Sequence, residues 1–164
     1  MSATPMIPKQ RPGRSVQTYG TPLRFFDAVQ TRFGPMSVDL AASDDRLCGA
    51  WLGPGSDVPD ALNLDIAWWA ILRGRTGWLN PPFENLRPWA VRCASEARLG
   101  AHIVMLTPSS LGSEWYCDEV QGHALTLVVR PRITFVGCSA PYPKDCAIHL
   151  WGFQMVGLGT WRWR

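Results

Sequence analysis

The segment Trp78-Leu79-Asn80-Pro81-Pro82-Phe83 ends an apolar run at an amide, two prolines and an aromatic ring. Trp78 and Leu79 are typical of the end of a buried strand. Because proline has no backbone N–H to give to a ladder, the chain must leave the sheet directly after Asn80. The Asn80 side chain is therefore predicted at the carboxyl end of a strand, the edge at which open α/β sheets bind ligands.

The residues from Asn80 to Phe83 offer two acceptors beside a flat ring. The Asn80 side-chain oxygen and the Pro81 carbonyl can accept both hydrogens of an exocyclic aromatic amine, while Phe83 stacks on the base that carries it. Such hydrogen bonds pull the nitrogen towards a tetrahedral, nucleophilic geometry. A plain strand followed by a Pro-Pro loop is the alternative that this motif alone leaves open.

Length and composition favour one globular domain. The chain has 164 residues, enough for one core but not for a catalytic domain with a full second recognition domain, and 46% hydrophobic with 18% charged residues is ordinary for such a protein. No run of about 18 apolar residues predicts a membrane span, and residues 1–10 lack the pattern of a secretory signal, so we expect a cytoplasmic protein. The five cysteines have no Cys-x-x-Cys spacing and are expected to be reduced thiols, not disulfides or metal ligands.

Positive charge is concentrated at the two ends of the chain, although the net charge of +3 permits a nucleic-acid partner without requiring one. Residues 1–19 are predicted to be a flexible arm, and residues 20–164 to form the single domain. Cations interleaved with tryptophans at the C-terminal end are suited to bind phosphates and unstacked bases. For either end, a solubilising tail is the alternative. The cations of the two ends are Lys9, Arg11, Arg14, Arg162 and Arg164.

A helix and a strand are predicted before this motif. Thr21 is expected to be the N-cap of a helix whose first turn contains Pro22 and which ends at Gly34. The amino end of that helix leaves backbone donors free for a ligand. The residues Met36–Leu40 are predicted to form a short strand.

An acidic residue lies near the end of that strand, and small residues follow it. Asp39 can hold a cationic or donor group, and the small side chain of Ala41 lets a ligand approach the backbone. The Gly-x-Gly-x-x-Gly fingerprint of nucleotide binding is absent, so a plain strand end is the alternative. Asp57, Asp60 and Asp65 lie in the next loop. Acidic residues beside a cofactor cleft commonly accept ribose hydroxyls or an adenine amino group, yet composition ranks none of the three.

The chain after the motif predicts a βαβ unit and then a β-rich end. A helix over Pro88–Leu99 and an apolar strand over Ala101–Leu106 indicate a right-handed crossover and a parallel sheet. The charged residues of this helix are expected largely opposite its apolar face, on the exposed side: Arg87, Arg92, Glu96 and Arg98. A short helix is predicted over Glu114–Val120, and three β-rich runs suggest an antiparallel edge: Leu125–Val129, Ile133–Val136 and Cys146–Trp151. The predicted fold class is α/β, a mostly parallel sheet flanked by helices with an antiparallel C-terminal edge.

Read in order, these motifs resemble the bacteriophage-type Dam-like DNA adenine-N6 methyltransferases. The resemblance covers roughly Thr18 to Trp151 and is carried by Thr21-Pro22, Val38-Asp39-Leu40-Ala41-Ala42-Ser43, Asp60-Ala61-Leu62 and Asn80-Pro81-Pro82-Phe83, with further likeness at Trp115, Arg132 and Pro141-Tyr142-Pro143. The sequence departs from the family at two points. Phe83 stands where Tyr is usual, which keeps stacking and loses only a hydroxyl, and Ala41-Ala42 replaces the glycine-rich cofactor turn.

The resemblance implies an enzyme with a Rossmann-like methyltransferase fold that uses S-adenosylmethionine on double-stranded DNA, without a metal, in a bacterial host cytoplasm if the protein is phage-encoded. The N6 lone pair of a flipped-out adenine would attack the sulfonium methyl in line. The residues implied at the cofactor are Thr21, Pro22, Asp39, Ala41 and, near the adenosine, Asp60; those implied at the target base are Asn80, Pro81, Pro82 and Phe83.

Two other functions stay open on the sequence alone. A methyltransferase of the same fold can use an Asn-Pro-Pro-aromatic segment to hold RNA adenine or another amine or amide. A nucleic-acid-binding module without enzyme activity is also compatible with the cationic ends and the nine tryptophans. Saturable binding of S-adenosylmethionine separates the two enzymes from the binding module.

Overall fold

The computed structural model describes residues 18–43 and 46–164, so residues 1–17 of the predicted arm lie outside the described residues. The helices of the described part are α1 (Leu23–Phe33), α2 (Trp68–Leu72), α3 (Arg87–Arg98) and α4 (Glu114–Glu119). Its strands are β1 (Met36–Asp39), β2 (Ala50–Trp51), β3 (Thr76–Leu79), β4 (His102–Pro108), β5 (Leu125–Arg130), β6 (Cys146–Trp151) and β7 (Gly157–Arg162). Among these helices, none is long and apolar enough to cross a membrane.

The described strands form one mixed sheet in the order β2-β1-β3-β4-β6-β5-β7. Strand β6 is antiparallel to β4 and β5, while every other neighbouring pair is parallel. Six strands therefore end at the same edge of the sheet. After β1 the chain adds β2 on one side and β3 on the other, so the carboxyl ends of β1 and β3 form the switch point at which open α/β sheets bind ligands.

Helices cover both faces of the sheet. Helix α1 packs on one face in a cluster that includes Phe25, Phe26, Val29, Trp78 and Leu106. Helices α2, α3 and α4 cover the other face in a cluster that includes Trp68, Leu72, Leu79, Cys93 and Trp115. Because Trp78 and Leu79 are neighbours in β3, their side chains point to opposite faces, which places one in each cluster.

The predicted α/β fold class is confirmed. The βαβ unit consists of β3, α3 and β4, and the antiparallel contribution is β6, which lies between β4 and β5. The prediction of a strand over Ile133–Val136 was wrong, because this segment joins no ladder. It is nevertheless alternately buried: Ile133 and Phe135 face the core, and Thr134 and Val136 face outward.

The prediction that Arg92 and Glu96 lie on the exposed face of α3 was also wrong. Both side chains are buried and form an ion pair with 2.9 Å between Arg92 Nε and Glu96 Oε1. Arg92 also donates to the Ile66 carbonyl, and Glu96 Oε2 accepts from the Trp69 backbone N–H at 2.9 Å. The burial of this pair is explained by its hydrogen bonds to backbone groups before and in the first turn of α2. These bonds also hold the end of the acidic loop that precedes the helix.

Candidate active site

A cavity of about 220 Å³ lies at the carboxyl ends of β1 and β3. Hydrogen bonds of the main chain hold its walls together: Leu40 N–H donates to the Trp78 carbonyl at 2.8 Å, and Leu52 N–H donates to the Asp39 carbonyl at 2.7 Å. The predicted site residues in these walls are Thr21, Asp39, Ala41, Asn80 and Pro82. The structure therefore brings residues from three separate segments to the switch point of the sheet.

Asp39 is a buried carboxylate in the cavity wall, with an exposed fraction of 4%. Its Oδ1 accepts a hydrogen bond from the Ala41 backbone N–H at 3.2 Å, and within the described part of the chain it has no ion-pair partner. Burial raises the pKa of this carboxyl from 3.8 to about 6, although backbone hydrogen bonds from Ala41 and Leu47 act in the opposite direction. A cationic or donor group in the cavity would replace the solvation that Asp39 has lost.

The Asn80 side chain is held in one orientation. Its Nδ2 donates to the Tyr19 carbonyl at 2.6 Å and to Thr21 Oγ1 at 3.0 Å, so both amide hydrogens are used. The Tyr19 carbonyl accepts only, which fixes which end of the amide is the nitrogen. The Asn80 Oδ1 is buried and has no hydrogen-bond partner among the described residues. An unpaired buried acceptor of this kind is costly and is expected to meet a donor from a ligand.

The ring of Phe83 belongs to a cluster of four aromatic side chains that closes one side of Asn80. Its centroid lies 5.6 Å from that of Tyr19 and 5.9 Å from those of Phe135 and Tyr142. Tyr19 lies 5.0 Å from Phe135 and 5.3 Å from Tyr142. The Tyr19 ring therefore packs against the ring of Phe83, on which a base was predicted to stack. Burial and the neighbouring Tyr19 raise the pKa of the Tyr142 hydroxyl.

The prediction that Thr21 caps α1 was wrong by one residue. The N-cap is Pro22, whose carbonyl accepts from the Phe25 and Phe26 N–H groups at 3.0 Å each, and the helix starts at Leu23. The Thr21 hydroxyl is used instead to hold Asn80. Thr21 is therefore a wall residue of the cavity, while Pro22 lines a different groove on the surface.

Other predicted site residues lie further from the cavity. Pro81 is buried, and its carbonyl receives no hydrogen bond from the described residues. The structure does not bring Asp60 to this cavity: Asp60 is exposed, and its Oδ1 accepts from the Leu62 N–H at 3.0 Å. Asp57 lines a neighbouring cavity of about 390 Å³ beyond β2. Its contact with a cofactor, like that of Asp60, stays a prediction.

Two wall residues were not singled out from the sequence. Tyr19 was placed in the flexible arm, yet its carbonyl orients Asn80 and its ring packs on Phe83. Trp78 was interpreted as core, yet it also lines the cavity, and its buried Nε1 has no acceptor among the described residues. The contact of Tyr19 spans 61 positions in the sequence, so no local pattern signals it.

The profile of the DNA N-6-adenine-methyltransferase (Dam) family matches residues 10–147. The chain belongs to this family. The match covers most of the sequence and includes every residue that lines the cavity at Asn80. No curated protein and no solved structure gives a significant match to the chain.

Proposed function

We propose that the protein transfers a methyl group from S-adenosylmethionine to the N6 amine of a flipped-out adenine in DNA by direct displacement. The observation that carries this proposal is the oriented amide of Asn80, whose donors are both engaged and whose buried oxygen is unpaired. An acceptor without a partner suits an N–H donor of the substrate and cannot bind an acceptor such as a carbonyl oxygen. Family membership supports adenine as that substrate.

Asn80 and Pro81 are proposed to hold the two hydrogens of the target amine. The Asn80 Oδ1 accepts one, and the Pro81 carbonyl, which receives no hydrogen bond from the described residues, accepts the other. Both acceptors are fixed in place, since one sits on a held amide and the other on a proline backbone. Preorganised acceptors need little reorganisation when charge develops on the nitrogen, and this is how they lower the barrier. The N6 proton leaves to water after transfer, so no strong base is required.

The cavity beside Asn80 is proposed to bind the cofactor. When bound, S-adenosylmethionine supplies an electrophilic methyl group on a sulfonium centre. The donors and acceptors of the wall fit its charged end: the unpaired Asp39 carboxylate suits an ammonium group, and the unpaired Trp78 Nε1 suits a carboxylate oxygen. Thr21 connects the proposed cofactor cavity with the residue proposed to hold the target amine, because it lines this cavity and its hydroxyl oxygen accepts a hydrogen bond from Asn80 Nδ2.

Stacking of the target base on the face of Phe83 that meets Tyr19 requires the Tyr19 ring to move. A base stacked between two rings needs about 3.5 Å on each face, hence about 7 Å between the ring centroids. The Phe83 and Tyr19 ring centroids are 5.6 Å apart, so a base does not fit between these two rings in this arrangement. Displacement of Tyr19 would let the base stack on Phe83 with its amine directed to Asn80, and it is part of the proposed base-flipping step.

The test is incubation with S-adenosylmethionine carrying a labelled methyl group and DNA, followed by digestion to nucleosides. We expect the label in N6-methyldeoxyadenosine. Label in a methylated cytosine, or no label in DNA while the protein binds the cofactor, would contradict the proposal. A parallel incubation with RNA separates the alternative substrate, and absence of saturable cofactor binding by calorimetry would favour a non-enzymatic binding module.

A further inference from the structure

A groove of about 430 Å³ runs along the surface between the start of α1 and the end of β7. Its apolar walls are unusually accessible, since 67% of Leu23 and 52% of Val136 are exposed. Trp163 forms its floor: the indole Nε1 donates to the Pro131 carbonyl at 2.7 Å, and the ring meets Phe25 edge-on with 5.2 Å between centroids. The groove is lined by Pro22, Leu23, Arg24, Thr134, Val136, Trp163 and Arg164.

Two arginines line this groove, and neither has a carboxylate partner in the part of the chain that the structure describes. Arg24 and Arg164 lie in its walls, and the Arg164 guanidinium carbon is 4.9 Å from the centroid of the Trp163 ring. Arg130 and Arg162 are register partners at the carboxyl ends of β5 and β7 and are both exposed. Within the described residues, none of these four arginines forms an ion pair. Like charges placed side by side repel unless an anion lies between them.

The groove adjoins the aromatic cluster through one extended segment. Phe135 packs against Tyr19 and Phe83, while its neighbours Thr134 and Val136 turn to the groove. The Val136 N–H donates to the Gly20 carbonyl at 3.0 Å, and Gly20 lies between Tyr19 and Thr21, the two residues that accept from the Asn80 amide. The base site and the groove are therefore on the two sides of a single stretch of backbone.

We propose that this groove binds the sugar-phosphate backbone of the DNA strand beside the flipped adenine. This inference rests on the proposed function and names the surface that receives its substrate. Arg24 and Arg164 contact the phosphates, the apolar walls contact the carbon faces of the deoxyribose rings, and Arg130 and Arg162 extend the positive surface along the sheet edge. Charge complementarity selects DNA backbone as the occupant, because an apolar peptide would leave the arginines without partners.

The test compares the salt dependence of DNA binding between the wild type and an Arg24→Gln/Arg164→Gln variant. Anisotropy of a fluorescein-labelled duplex of mixed sequence is followed between about 50 and 200 mM salt, without cofactor. Losing two phosphate contacts should reduce the slope of log K against log salt by about 2, and should weaken binding at the lowest salt roughly tenfold or more. Cofactor affinity, measured by calorimetry, should be unchanged because neither arginine lines the cavity at Asn80.

An Arg73→Gln/Arg98→Gln variant is the matched control. Both arginines are exposed and precede β3 and β4 closely, so they lie at the amino edge of the sheet, away from the site. The control removes the same charge and should leave the slope within about 0.5 of wild type. An equal change in both variants, an unchanged slope in the first, or no binding of wild type to the duplex would overturn the inference.

The outcomes also separate this inference from the proposed function. Wild type that methylates adenine together with an unchanged slope in the Arg24/Arg164 variant means that the function stands and the surface is wrong. A reduced slope without any methyl transfer by wild type means that the surface binds DNA and the assigned reaction is wrong. Thermal unfolding of each variant shows that its fold is intact before binding is compared.

Discussion

Replacing Asp39 by asparagine should stabilise the free protein while removing its ability to bind the cofactor. Burial raises the pKa of the carboxyl from 3.8 to about 6. Since a tenfold change in acidity corresponds to about 1.4 kcal/mol, keeping this carboxylate charged at pH 8 costs the folded protein about 3 kcal/mol. Asparagine has the same shape and carries no charge, and its single side-chain oxygen remains as an acceptor for the backbone N–H groups of Ala41 and Leu47. The melting temperature should therefore rise by roughly 6–12 °C at pH 8.

The sign of the pH dependence distinguishes this effect from a general improvement in packing. Because the pKa of Asp39 is higher in the folded than in the unfolded chain, the folded protein binds more protons between about pH 4 and 6, and its stability falls as pH rises through that window. The gain from Asp39→Asn should be about 3 kcal/mol at pH 8, about half of that at pH 5, and absent below about pH 4. Wild-type affinity for the cationic cofactor should fall as pH drops below about 6.

The assay is chemical and thermal unfolding of both proteins at pH 5 and pH 8, with calorimetric titration of S-adenosylmethionine at pH 8. Asp60→Asn is the control, because Asp60 is exposed and asparagine can keep the turn to Leu62; it should change the free energy of unfolding by less than about 0.5 kcal/mol. An Asp39→Asn protein that is less stable than wild type at pH 8, or that shows the same gain at both pH values, would refute the electrostatic account. Retained cofactor affinity would refute its role in binding.

Three further outcomes follow from the site. Phe83→Tyr should keep near-normal kcat/KM on DNA, whereas Phe83→Ala should lower kcat/KM by the equivalent of about 1–3 kcal/mol of base stacking. Equal losses in the two variants would exclude stacking. Tyr19→Ala should increase the fluorescence of 2-aminopurine placed at the target position of a duplex that wild type methylates, because the ring that packs against Phe83, the proposed stacking partner of the base, is gone; unchanged fluorescence would contradict this. The resemblance to the family, not the cavity wall, implies Asp60 at the adenosine; Asp60→Ala should then raise the dissociation constant of the cofactor with less effect on kcat, and finding that phenotype in Asp57→Ala instead would place the adenosine in the cavity beyond β2.

The parts of the fold that could be predicted are those with local causes. Pro81 and Pro82 end β3 through missing backbone donors, and the apolar period of α3 and the continuous apolar run of β4 give the βαβ unit. Helix α2 has five residues and no strong pattern of its own; it is formed where Glu96 accepts from the Trp69 N–H, a contact across 27 positions. Strand β7 contains Gly157 and Gly159, which weaken any strand signal, and it forms because it pairs with β5.

The residues of the site also divide into those that a local sequence pattern indicates and those that no local pattern indicates. Asn80 and Asp39 could be chosen because each polar residue ends a buried strand, and strand ends of a parallel sheet meet at one edge. Tyr19 could not be chosen, because its carbonyl reaches Asn80 only after the sheet and α1 have been assembled. The burial of the Arg92–Glu96 pair was missed for the same reason: charged residues on a helix indicate exposure unless a distant backbone needs them.

Single-turnover methyl transfer by Asn80→Ala tests whether the Asn80 oxygen holds the target amine. The variant should bind S-adenosylmethionine with near wild-type affinity and lose about 2–4 kcal/mol of transition-state stabilisation, a roughly 30- to 1,000-fold slower formation of N6-methyldeoxyadenosine. Asn85→Ala, an exposed asparagine on the same loop, should react at the wild-type rate. Methyl transfer by Asn80→Ala within about threefold of wild type would contradict the assignment of this residue to the target base.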